Sequence, residues 1–203
     1  MRPCTRRIVS AEGIIKATSL NDALGEHAPW CRTAPNAPPI HTKPLVAAVV
    51  VRRGGAQDVR FLRDMLHHAY YWKERQPDEG PGPVQLYVKA WGRPGDTAVI
   101  ALLDGFPVGA AWFRLFKAGS PGYGFIDERT PELAIAVVPN ARGKGVGSAL
   151  IDSLLERART DGFADISLSV DRHNRGAIAL YEQHGFHQVD ETDDSLTLRA
   201  ELA

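Results

Sequence analysis

Leu133-Ala134-Ile135-Ala136-Val137-Val138-Pro139-Asn140-Ala141-Arg142-Gly143-Lys144-Gly145-Val146-Gly147-Ser148 decides how this chain folds. Its first six residues are a continuous apolar run of strand length. Pro139 opens a turn that carries three glycines. Beyond it Val146, Ala149, Leu150, Leu154, Leu155 and Ala158 recur at helical spacing to about Thr160, where Asp161-Gly162 supplies a cap. The stretch therefore reads as buried strand, glycine turn and helix. A helix N-terminus offers unpaired N–H groups and about half a positive charge. Glycines before it let a ligand approach the backbone, so the unit is suited to phosphate.

Three ligand classes use such a unit, and spacing separates them. A nucleoside-triphosphate loop needs Gly, four residues, then Gly-Lys-Ser/Thr. Here Val138 stands at the first glycine position and Gly145 follows Lys144, so that match fails. A dinucleotide turn needs Gly-x-Gly-x-x-Gly directly after the strand. Gly143 and Gly145 fit it, and Asp171 stands where a ribose-binding acid would, but Ser148 holds the third glycine position. That leaves a nucleotide-dependent oxidoreductase as a lesser reading. The third pattern, Arg/Gln-x-x-Gly-x-Gly/Ala, is matched in full by Arg142 to Gly147.

Outward from this unit, 166–170 reads as a strand, 174–184 as a helix ending at Gly185, and 186–189 with 195–199 as a terminal strand pair. Upstream, 97–103 and 107–116 read as strands joined by the hairpin signal Asp104-Gly105. The apolar run 45–51 reads as a buried strand ended by Arg52-Arg53-Gly54-Gly55. Val59, Leu62, Met65 and Leu66 place an amphipathic helix over about 57–70. Pro77, Gly80, Pro81, Gly82 and Pro83 make 74–83 a loop, and a second short helix is expected over about 84–91. Strands that first pair as a hairpin and later alternate with helices predict a mixed α/β (α+β) sheet flanked by helices on both faces.

Six of the 14 prolines fall within 1–44. That segment reads as a poorly ordered extension, with a short helix near 11–23, ahead of one domain over 45–203. Lys plus Arg and Asp plus Glu are 24 each, so no global field favours nucleic acid. No apolar run approaches the ~18–20 residues of a membrane span. The start has no apolar core of a secretory signal, so a cytoplasmic location is expected. Cys4 and Cys31 fit no metal spacing, and the seven histidines read as structural or surface groups, so no metal is implied.

The pattern at 142–147 is followed by Asn174, Ala177, Leu180-Tyr181 and Gly185-Phe186. In this order and spacing the chain resembles the GNAT superfamily of acyl-CoA-dependent N-acetyltransferases, specifically over 132–186 and topologically over about 45–200. The resemblance implies a mostly antiparallel sheet of about six or seven strands with about four helices. It implies acetyl-CoA as co-substrate and a small-molecule amine or peptide N-terminus as acceptor, attacked directly in a ternary complex. A homodimer is a family-level expectation.

The resemblance also assigns roles. Backbone N–H groups of Gly143, Lys144, Gly145, Val146, Gly147 and Ser148 would hold the CoA diphosphate, with charge from Arg142 and Lys144. The strand before the turn splays from its neighbour, which implies that Val137 and Val138 pair with the pantetheine arm. One of their N–H groups would polarise the thioester carbonyl. Asn174 would fix pantetheine from the following helix. Tyr181 matches the general acid that protonates the leaving thiolate; otherwise it is a core tyrosine on an amphipathic helix. Glu132 matches a position where some members carry the general base; otherwise it is a solvated strand-end glutamate. Tyr70, Tyr71, Trp72, Trp91, Tyr123 and Phe125, with Glu74, Asp78 and Glu79, would suit a cationic acceptor with an apolar body; otherwise these aromatics cover the core and the acids are solvated. An acyl-CoA-binding module without catalysis is the alternative function.

Overall fold

A computed structural model describes Val9–Ser10, Gly13–Ile14 and residues 48–70 and 83–202. Contacts divide the chain into Met1–Leu45 and Val46–Ala203. In the first unit β1 (Val9–Ser10) pairs antiparallel with β2 (Gly13–Ile14). The helix expected near 11–23 is therefore replaced at Gly13–Ile14 by strand; its other residues, and the expected disorder of 1–44, lie outside the described residues.

In the second unit the strands are β3 (Val49–Arg53), β4 (Thr97–Leu103), β5 (Phe106–Arg114), β6 (Glu132–Val137), β7 (Asp165–Asp171), β8 (His187–Glu191) and β9 (Ser195–Glu201). The helices are α1 (Val59–Tyr70), α2 (Val146–Thr160) and α3 (Arg175–Gln183). The sheet order is β3-β4-β5-β6-β7-β9-β8, antiparallel throughout except between β6 and β7. Asp104 and Gly105 both take positive φ, 51° and 83°, which makes the β4–β5 hairpin tight and twist-matched. Leu150, Leu154 and Ile166 pack on one face of the sheet, and Leu62, Met65 and Trp112 on the other. Helices on both faces explain why β4 and β5 are apolar on both sides.

Two expectations change. The run at 45–51 is the edge strand: its described part is half exposed, with Val50 at 54%. The segment 84–91 is a 3-10 turn, Pro83–Tyr87, rather than an α-helix. Within α2, Ile151 is fully buried, whereas Ala149 is only half-buried.

α2 and α3 are each followed by a glycine in the left-handed region. After α2, Gly162 (φ 84°) lets its own N–H reach Arg159 O and the Phe163 N–H reach Ala158 O. After α3, Gly185 (φ 85°) lets its N–H reach Glu182 O and the Phe186 N–H reach Tyr181 O.

Candidate active site

β6 and β7 run parallel but meet at one register pair only, Glu132 with Ser167. Beyond it they diverge. On its other side β6 stays paired with β5 along its whole length. The Val138 N–H donates to Val108 O at 2.9 Å, so Val138 faces β5. Alternate residues of an antiparallel strand face alternate neighbours, so Ile135 and Val137 turn their peptide groups toward the gap. Arg142 Nε donates to Val137 O at 3.1 Å, so the arginine folds back on this strand. Of the two N–H groups considered for polarising a carbonyl, that of Val138 is occupied and that of Val137 faces the gap.

The glycine turn closes one end of the gap. Gly143 and Gly145 have φ of 71° and 78°, and a Cβ added at either would meet nothing within 4 Å. They are required by backbone conformation and not by crowding. Gly147 is different: a Cβ there would lie 3.0 Å from Leu180 Cδ2, so this glycine brings α2 against α3. Ser148 Oγ lies 2.9 Å from His184 Nε2, while His184 Nδ1 lies 2.7 Å from Leu180 O. The gap and the turn form one cleft of about 1280 Å³. That exceeds the roughly 300–1,000 Å³ of an ordinary small-molecule pocket and suits a long ligand.

Tyr181 and Asn174 line the cleft from α3. Asn174 caps the helix by accepting the Ala177 N–H at Oδ1, 3.3 Å, which leaves its NH2 group for another partner. The Tyr181 ring meets Phe186 edge-on, with centroids 5.7 Å apart. Its hydroxyl has no hydrogen bond among the described residues, and burial pushes its pKa well above the ordinary tyrosine range.

Glu132 is not a solvated strand-end residue; it is 1% exposed. Its Oε1 accepts the Tyr87 hydroxyl and, at 2.8 Å, the Gly124 N–H. Oε2 is buried and has no hydrogen-bond partner among the described residues. Burial raises its pKa to about 7, against the opposing effect of those two hydrogen bonds. Arg114, the register partner of Glu132 on β5, is fully buried and pairs with Asp96 through Nε (3.1 Å) and NH2 (2.6 Å). The same guanidinium holds the carbonyls of Leu86 and Lys89, which fixes the 3-10 turn that presents Tyr87.

The cleft thus gathers Val137, Arg142, Gly143, Gly145, Gly147, Ser148, Asn174 and Tyr181 from among the residues expected there. Val138, Lys144 and Val146 do not line it, Lys144 being exposed and Val146 buried in the core. Glu132 lies behind its wall. Tyr70 and Tyr123 line it as well, 6.2 Å apart between ring centroids. Trp91 instead lies against Arg114 and Phe125 against the core. Tyr71, Trp72, Glu74, Asp78 and Glu79 lie outside the described residues. His68, read from sequence as a structural or surface group, lines the cleft, as does His173, the neighbour of Asn174. Sequence reasoning missed Tyr87 and Arg114. It also missed that Gly122 and Gly124 shape the site. A Cβ on Gly122 would lie 2.1 Å from Glu132 Oε2, and one on Gly124 2.4 Å from the Leu168 carbonyl carbon. The glycine content of this loop was the visible signal. Among the described residues no three His, Cys, Asp or Glu side chains gather as metal ligands would, and no helix is long and apolar enough to cross a membrane.

A family profile described as acetyltransferase (GNAT) family matches residues 61–186. The chain is 34% identical over 152 residues to mycothiol acetyltransferase of Catenulispora acidiphila, a match covering 70% of this chain and 45% of that protein. It spans less than half the length of the first curated relatives it matches. Among solved structures it resembles a ribosomal-protein-alanine N-acetyltransferase from Brucella melitensis, with TM-score 0.58 and 23% identity, over 75% of this chain and 99% of that one. An N-acetyltransferase from Thermoplasma acidophilum in complex with coenzyme A gives TM-score 0.58 at 13% identity, over 76% and 99%. At these identities the structural likeness speaks for the fold alone.

Proposed function

Because the chain belongs to the acetyltransferase (GNAT) family, we propose that it transfers an acetyl group from acetyl-CoA to a primary amine by direct attack in a ternary complex. The observation that carries this reading is the single β6–β7 register pair, which leaves a strip of strand backbone open between a glycine-turned helix N-terminus and Tyr181. The residues fit a CoA thioester. N–H groups at 143–148 suit a diphosphate. The inward peptide group of Ile135 and the inward N–H of Val137 suit an acylated, amide-bearing arm, and the free NH2 of Asn174 suits one of its carbonyls.

Acetyl-CoA supplies an acetyl group already activated as a thioester. In this reading the Val137 N–H orients the carbonyl and stabilises charge that develops on its oxygen. The Tyr181 hydroxyl, bound to nothing else among the described residues, gives its proton to the departing sulfur. Glu132, with a pKa raised to about 7 by burial, takes the proton that the acceptor ammonium must lose. Tyr70 and Tyr123 offer ring faces to a cationic acceptor, whether a small amine or a peptide N-terminus. The transferase unit is assigned to 45–203, working in the cytoplasm, with 1–44 as an extension.

The test is release of free thiol from acetyl-CoA against a panel of primary amines and peptides with free N-termini. Amine-dependent release is the expected result. If acetyl-CoA protects the fold but no amine accelerates thiol release, the chain is a binding module and this reading fails.

A further inference from the structure

We propose that Tyr87 is the relay through which the acceptor ammonium passes its proton to Glu132. This deepens the acetyl-transfer reading and rests on it. Tyr87 lines the cleft, and Glu132 does not. The carboxylate is otherwise enclosed: Oε1 is taken by the Gly124 N–H at 2.8 Å, and Oε2 faces the Gly122 backbone so closely that a Cβ there would lie 2.1 Å away. A donor in the cleft reaches this carboxylate by way of the phenol.

The phenol is set up for that task. Its oxygen accepts the Tyr123 N–H at 2.9 Å, and its proton goes to Glu132 Oε1. That arrangement leaves the oxygen one further acceptor direction. The ring is held by Phe116, edge-on at 5.0 Å, and by Tyr123, stacked at 6.3 Å. The register neighbours of Glu132 are Arg114 on β5, committed to Asp96 and to the Leu86 and Lys89 carbonyls, and Ser167 on β7.

The step balances without a charged phenol. An ammonium N–H bond breaks and its proton joins Tyr87 Oη, while the original Tyr87 proton passes to Glu132 Oε1. A neutral amine, a neutral phenol and a neutral carboxylic acid result. Burial and the neighbouring Glu132 charge raise the Tyr87 pKa well above its ordinary value, so a concerted transfer avoids the costly phenolate.

Two measurements test the relay. In the first, the carboxylic-acid C=O stretch that disappears in Glu132→Gln is titrated by infrared spectroscopy. Tyr87→Phe removes a hydrogen-bond donor to the ionised form, so the midpoint of this band should move to higher pH. An unchanged midpoint overturns the relay, with or without turnover. In the second, acetyl transfer is followed to benzylamine, an ammonium at neutral pH, and to aniline, already a free base. Tyr87→Phe and Glu132→Gln should each slow benzylamine roughly tenfold or more and slow aniline markedly less, and the double variant should be no slower than either. Equal loss with both amines would mark Tyr87 as merely structural and overturn the proposal. Failure of the wild type to acetylate any amine defeats the acetyl-transfer reading instead, and is told apart because the band shift is read without an acceptor.

Discussion

At the scale of single residues, Glu132 links chemistry to stability. An ordinary glutamate titrates near 4.5, whereas folding raises Glu132 to about 7. The native state therefore binds this proton more tightly than the unfolded chain does. The contribution is fully present below about pH 4.5 and is lost as pH rises through about 7. A gap of that size corresponds to on the order of 3 kcal/mol. Glu132→Gln cannot ionise, so it should unfold at a higher temperature than the wild type at about pH 8 and level with it below about pH 4.5. Equal melting at the higher pH would mean that the carboxylate is not desolvated. Tyr181 carries a different expectation. Tyr181→Phe keeps the ring against Phe186, so acetyl-CoA should protect the fold as before, while turnover falls roughly tenfold or more. Near wild-type turnover would remove Tyr181 as the proton donor. Sequence brought both residues forward, but the alternative it held open for Glu132, a solvated strand-end glutamate, is overturned by burial. Burial of a strand-end acid depends on Tyr87, 45 residues away, and on two glycines that admit the loop above it. No local pattern encodes such a contact.

At the scale of elements, the pattern Tyr-x-x-x-Gly-Phe at 181–186 acquires a physical meaning. Gly185 takes the left-handed conformation that ends α3, the Phe186 N–H turns back to Tyr181 O, and the Phe186 ring docks on the tyrosine. The helix stop is thus also the device that fixes the cleft tyrosine. Gly185→Ala should cost about 1–2 kcal/mol, since an L side chain strains this backbone. It should also lower turnover by more than the lost folded fraction explains, because the tyrosine loses its brace. Denaturant melts read beside single-turnover rates would separate the two effects, and full activity per folded molecule would refute the coupling. The strand, turn and helix at 133–160 were legible because periodicity, proline and glycine agree there. The short turn before Tyr87 was not: a segment of eight residues cannot distinguish an α-helix from a 3-10 turn. What decides is a tertiary clamp, the buried Arg114 guanidinium on the Leu86 and Lys89 carbonyls.

At the scale of the whole molecule, sheet order does what no single element can. Hydrophobic runs announce strands, but they do not announce neighbours, which is why 45–51 read as buried when its described part is the sheet edge. The splay between β6 and β7 is a property of the assembled sheet. β6 is tied to β5 over six register pairs and to β7 by one, so it follows β5 and leaves β7. A ligand that fills the gap would pair with strand backbone and a helix terminus together, tying both layers of helices to one occupant. Such binding should raise the stability of the folded unit as one transition. A ligand at 100 times its Kd contributes ~2.7 kcal/mol, which is about 5–10 °C for a domain of this size. Acetyl-CoA and CoA should both produce that shift in thermal unfolding, while NADH and ATP should not. Stabilisation by NADH instead would restore the dinucleotide reading of Gly143, Gly145 and Asp171. The acetyl thioester should still protect Tyr181→Phe, because that substitution removes one hydroxyl and leaves the strip of β6 open.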